Sequence, residues 1–310
     1  MNTFIEEYIN RVNAEKKNIL YAQLRQGGQV REEYSRFPQK TRLNLMSISK
    51  SVVSVGAGIA IDEGLISLDE KICEAFPEYV PDNPSHNLLA IKVRHLLTMS
   101  SGLAAPLFFA DDPERYTVKD WIAYFFTAGF DRPPGERFLY SNFNTYMISC
   151  LIEKRAKQNL LEYLRNRLFE PLGIGNPDWT LCPKGHVHAA NGLYFNIDEL
   201  GFFGEMLLRE GAAAGRQLVS KAYIREAAAK QIETLKVYEQ EQRYQTYGYG
   251  YQFWMTPMPN TFICNGNYGQ YCLVLPEKEM VISVMSLEGN SYKRIRDILI
   301  DLVLEKGGIT

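Results

Sequence analysis

No C-x-x-C occurs in this sequence, whose five cysteines stand at positions 73, 150, 182, 264 and 272. An odd, scattered set indicates neither a zinc knuckle nor a disulfide framework and reads as reduced thiols. A surplus of basic charge is also missing. Lys and Arg number 34 against 36 Asp and Glu, a net charge of −2, which removes the electrostatic case for nucleic acid or an anionic membrane surface. The longest uncharged apolar stretch, residues 51–61, is too short to span a bilayer. The first residues, MNTFIEEYINRVNAEKKN, lack the basic start and unbroken apolar core of a secretory signal. A cytoplasmic location is therefore the expectation. Walker A, HExxH and G-x-S-x-G are absent too, so no cofactor or metal is called for.

What is present reads as an ordinary globular chain, 46% hydrophobic and 23% charged. Phe4, Ile5, Tyr8, Ile9 and Val12 fall at helical spacing and predict an amphipathic first helix. ILYAQLRQGGQVREEYSRF predicts a hairpin turning at Gly27-Gly28, a pair suited to positive φ. LNLMSISKSVVSVGAGIAIDEG predicts a helix stopped by Gly64, and Ser67 with Glu70 predicts a capping box for the next one. Residues 65–240 are mainly of helical period, in runs such as NTYMISCLIEKRAKQ and IDELGFFGEMLLREG. The aromatic and β-branched runs YGYGYQFWM, NTFICNGN, QYCLVLP and MVISVMS then predict strands, before a final helix over about 291–305. The expected class is α/β (α+β). One antiparallel sheet is assembled from both chain ends and flanked by the terminal helices, with an all-α insertion. The chain is expected to be a single domain, with 1–64 and 241–310 forming the α/β part and 65–240 the helical part.

Three short patterns compete for chemistry. GAGIAI imitates a dinucleotide fingerprint but lacks its third glycine and sits inside a helix, where small residues serve close packing. His186-Val187-His188 is an H-x-H without a supporting carboxylate or cysteine at ligand spacing. Ser47-Ile48-Ser49-Lys50 is an S-x-x-K. On a helix this spacing puts both side chains on one face, one turn apart. A serine at the helix start sits where backbone N–H groups favour negative charge. Burial of the lysine would lower its pKa and let it take a proton from the serine. A plainer reading stands beside this one. A chain of this length meets S-x-x-K by chance on the order of once, with Ser47 a cap and Lys50 snorkelling to the surface.

Downstream, PPGERFLYSNFNTYMISCLIE places Tyr140-Ser141-Asn142 in a loop just before a helix. S-x-x-K followed by this Y-x-N resembles the serine hydrolases related to class C β-lactamases, penicillin-binding DD-peptidases and family esterases. IKVRHLLTMSSGL, PLGI, GLYFNIDELGFFGEMLLREG and NGNYGQYCLVLPEKEMVISV are similar to further segments of that family in the same order, over about residues 16–300. The resemblance implies a β-lactamase/transpeptidase-like fold. It implies Ser47 as acylated nucleophile, Lys50 as its base, Tyr140 as second proton-transfer group and Asn142 as a substrate-binding residue that orients Lys50. The oxyanion hole would use the N–H groups of Ser47 and Asn267.

The third motif departs from the family. Lys or His, Thr or Ser, then Gly are usual, and here Cys264, Asn265 and Gly266 stand in their place as substrate-binding candidates. Without that cation and hydroxyl, a substrate carboxylate is poorly served unless a loop residue such as Arg132 or Arg137 compensates. The expectation is an ester, amide or peptide substrate of small size. The alternatives are a β-lactamase or DD-peptidase, and a catalytically silent binding protein on the same scaffold. Cys264 as a nucleophile of its own lacks an activating histidine.

Overall fold

The computed structural model describes residues 2–109, 111–234, 243–289 and 291–307. Helix α1 (Phe4–Ala14) begins on a capping box of Thr3 and Glu6 and buries all five residues that its period picked out. Strands β1 (Tyr21–Gln26) and β2 (Gln29–Ser35) form the expected hairpin, with Gly27 at φ 61° and Gly28 at φ 80°. Helix α2 (Ile48–Asp62) carries the S-x-x-K, and helix α3 (Asn142–Ala156) follows the Y-x-N loop. Helix α4 (Ile197–Leu208) precedes β3 (Trp254–Met255), β4 (Phe262–Gly266), β5 (Gln270–Leu275) and β6 (Met280–Met285). Helix α5 (Lys293–Glu305) comes last.

The six strands make one antiparallel sheet in the order β2-β1-β6-β5-β4-β3, so the two chain ends meet where Tyr21 pairs with Met285. Side chains alternate across it. Ala22, Leu24, Leu273, Ile282 and Val284 pack on one face with Tyr8 of α1 and Leu299 and Leu302 of α5. Cys264, Cys272, Val274 and Val281 point to the other face, into the core shared with α2 and α4. Gly204 is needed there, because a Cβ would lie 2.5 Å from Val281 Cγ1 and 2.7 Å from Cys272 Sγ.

Helix α2 is buried from Ile48 to Ala60. Its small residues serve packing, as a Cβ on Gly58 would stand 2.4 Å from the Tyr223 ring. Each buried Val or Ile here contributes roughly 1.5–3 kcal/mol, which fixes the helix and the serine at its start.

Three expectations differ from the structure. The 65–240 part is mainly but not wholly helical: Leu193–Phe195 pairs with Leu43–Asn44 and Asp178–Trp179, and Ala212–Ala213 pairs with Arg216–Gln217. Ser67 and Glu70 close only a turn, and the Glu70 carboxylate pairs with Arg155 instead of capping a helix. Of YGYGYQFWM, only Trp254 and Met255 form a strand, because Gly248 at φ 109° and Gln252 at φ 66° break the extended run. The expected boundary at 240/241 lies outside the described residues.

Candidate active site

The turn into α2 sets the site. Met46 takes φ 50°, a conformation that a side-chain-bearing residue adopts only under constraint. Its N–H donates to Asn44 Oδ1 at 2.8 Å. Ser47 follows as the residue before the helix, and its hydroxyl makes no capping bond. It meets Lys50 Nζ at 3.0 Å instead. Gly266 seats this turn, since a Cβ on it would lie 2.5 Å from the Leu45 carbonyl oxygen. The close approach that requires glycine is thus made by the chain itself.

Lys50 does not snorkel: it is 1% exposed. Burial, with the Arg115 charge adding to it, holds its pKa well below the usual lysine range. Its amine lies 2.8 Å from Asn142 Oδ1 and 2.9 Å from the Ala190 carbonyl. The Asn142 amide cannot be reversed here, because its Nδ2 donates to the Phe108 carbonyl at 2.6 Å. Both contacts can therefore only accept. A neutral amine has two N–H bonds and one lone pair. With the two N–H bonds given to Asn142 and Ala190, the lone pair is left for the Ser47 hydroxyl. As an ammonium, the same nitrogen has three acceptors for three protons.

Tyr140 brings its ring face to Lys50, 4.9 Å from Nζ to the centroid, and stacks on Trp254 at 5.6 Å. Ser47 and Tyr140 open into a cleft of about 370 Å³. Its walls are Pro106, Phe109, Leu139, Trp254 and Tyr292, with the polar residues Gln245, Asn265, Asn267 and Lys293. Asn267 Oδ1 accepts from the Tyr292 hydroxyl at 2.9 Å. Among the described residues, neither the Ser47 nor the Asn267 backbone N–H donates to another group.

The third-motif residues separate. Asn265 lines the cleft, whereas Cys264, expected on that wall, is fully buried on the opposite face of β4, paired across from Cys272. Arg132 and Arg137 do not line the cleft, and Arg132 faces Glu136 at 3.8 Å. Among the described lining residues the cation is Lys293, from the start of α5. Gln245, Trp254, Tyr292 and Lys293 belong to none of the sequence motifs; of these, Trp254 alone stands in a run with a signal of its own, the aromatic density of YGYGYQFWM. His95 accepts from the Lys92 N–H at 3.1 Å, across the start of a short helix. The H-x-H does not converge. His186 Nδ1 meets Glu153 Oε2 at 2.5 Å, while His188 is buried edge-on against Trp121. Burial, then the charges of Arg115 and Lys50, lower the His188 pKa to about 3.

The sequence model of the family described as Beta-lactamase matches residues 12–305. Penicillin-binding protein 4* of Bacillus subtilis is 25% identical over 52% of this chain and 36% of its own. The 6-aminohexanoate-dimer hydrolase of Paenarthrobacter ureafaciens is 26% identical over 66% of this chain and 55% of its own. The chain thus spans about half, or less, of the length of these curated relatives. In fold it resembles a putative β-lactamase from Bacteroides dorei, with a TM-score of 0.79 at 16% identity, covering 98% of this chain and 100% of that one. Among the described residues no helix is long and apolar enough to cross a membrane.

Proposed function

The chain belongs to the Beta-lactamase family, and from that premise we propose that it is a serine hydrolase that cleaves an ester or amide through an acyl-enzyme on Ser47. The observation that carries this reading is the placement of Lys50, whose two obligate acceptors leave its lone pair for Ser47. Lys50 takes the Ser47 proton as Oγ attacks the substrate carbonyl. The oxyanion is stabilised by the N–H groups of Ser47 and Asn267. The proton passes from the Lys50 ammonium, with Tyr140 as partner, to the leaving oxygen or nitrogen, and the carbonyl re-forms as that bond breaks. Water, deprotonated by the same pair, then releases the acid.

The walls favour a substrate with an uncharged, largely apolar body, because aromatic faces and carboxamides dominate them. Lys293 supports a second reading, a β-lactam or other carboxylate-bearing substrate held from α5 in place of β4. A chromogenic β-lactam followed by intact mass separates the two, since only the second reading expects a stable or turning-over adduct.

The test of the hydrolase reading is covalent labelling. A fluorophosphonate should add one mass increment to the native protein and none to Ser47→Ala. An unlabelled native protein from pH 5 to 10 would falsify it.

A further inference from the structure

Asn142 joins Lys50 to a loop that the scheme above leaves unused. Its Oδ1 is 2.8 Å from Lys50 Nζ, and its Nδ2 donates to the Phe108 carbonyl at 2.6 Å. Phe108 holds φ 68° and is buried, its ring stacked on Phe143 at 4.1 Å and edge-on to Trp121 at 4.6 Å. The preceding residue is tied down as well. The Leu107 N–H donates to Ser141 Oγ at 3.4 Å, and the Leu107 carbonyl accepts from it at 3.3 Å. On either side, Pro106 and Phe109 line the cleft.

A carboxamide has an accepting and a donating end of nearly the same shape. Only its partners decide which end faces Lys50. The Phe108 carbonyl can only accept, so it claims Nδ2 and turns Oδ1 to the lysine. Without that carbonyl, the reversed amide would present an N–H to the amine. The lone pair of Lys50 would then be taken by Asn142 and withheld from the Ser47 hydroxyl. We propose that Phe108 is a positioning residue for the base: its buried ring fixes the carbonyl that fixes the Asn142 amide and aims the Lys50 lone pair at Ser47. The proposal rests on the hydrolase reading. It also makes the loop that touches substrate through Pro106 and Phe109 the support of the base.

The charged and titratable groups around Lys50 are Arg115, His188 and Tyr140. Because Trp121 lies against both the Phe108 and the His188 rings, the acid limb is compared with that in an Asn142→Ala background, where a shift caused by the amide disappears. An N–H facing Lys50 disfavours the ammonium further, which moves that limb to lower pH while the plateau falls.

The readout is the second-order rate of Ser47 labelling by a fluorophosphonate, followed by intact mass from pH 5 to 10. In that step the Oγ–P bond forms, the P–F bond breaks, fluoride leaves and the serine proton passes to Lys50. Phe108→Ala should slow labelling about 10- to 100-fold, the order expected for a misplaced catalytic group, and shift the acid limb downward. Phe108→Tyr, which keeps the stacked ring, should restore the rate to within about twofold. In an Asn142→Ala background, Phe108→Ala should cost nothing further. Phe108→Leu, which keeps the site filled, is read through the same cycle if the alanine variant does not fold. Additive losses in the double variant, or an acid limb that stays put or rises, overturn the proposal and leave the hydrolase reading intact. A native protein that takes no label overturns both.

Discussion

Residues 47–50 and residues 186–188 present two short patterns of reactive side chains, and the fold treats them oppositely. Ser47 and Lys50 are three apart at the start of a helix, so they share a face and meet at 3.0 Å. His186 and His188 are two apart on an extended segment, where Val187 bridges to Leu181. One imidazole goes to Glu153 and the other to Trp121. The lesson is that spacing acquires chemical meaning only from the backbone that carries it.

The contrast can be broken most severely at Lys50. Lys50→Met should slow Ser47 labelling about 100- to 10,000-fold, the usual range for a positioned base. It should also change how stability depends on pH. The native lysine has a lowered pKa and the unfolded one about 10.4, so between those values the unfolded chain binds the extra proton. Native stability therefore rises with pH through that window, by up to about 1.4 kcal/mol per unit. Urea unfolding at pH 7–10 should show that increment in the native protein and not in Lys50→Met; equal slopes would count against a depressed lysine.

Gly266→Ala strikes the seat of the same motif. Its Cβ would press on the Leu45 carbonyl, which is backbone and cannot yield without moving the turn before Ser47. A loss of about 1–3 kcal/mol is expected by thermal melting, with slower labelling. An unchanged melt would mean that β4 and the Ser47 turn are not in contact.

The smallest effect belongs to the other pattern. His186→Gln weakens one bond to Glu153, whose Oε1 still accepts from the Leu160 and Val187 N–H groups. Stability should fall by about 1 kcal/mol, while labelling stays within about twofold of native. A large loss of labelling would bring the H-x-H back into the chemistry.

Much of the frame was legible because it rests on local rules. Phe4, Ile5, Tyr8, Ile9 and Val12 announced the face of α1, and Gly27-Gly28 announced the hairpin. Cys264 stands in the third motif yet faces away from the cleft, because neighbours on a strand face opposite sides and Asn265 takes the cleft side. The Phe108 and Ala190 carbonyls that hold the Lys50 network had no signal at all. They are backbone atoms, and every residue has one.

The sequence by itself determined the candidate side chains for the proposed chemistry, Ser47, Lys50, Tyr140 and Asn142, and the helical spacing that pairs the first two. Only the tertiary structure decided that the lysine is buried and which way its lone pair is aimed. It also set what walls the cleft. Those depend on contacts between segments far apart in the chain, where desolvation and the direction of a carbonyl count for more than residue type.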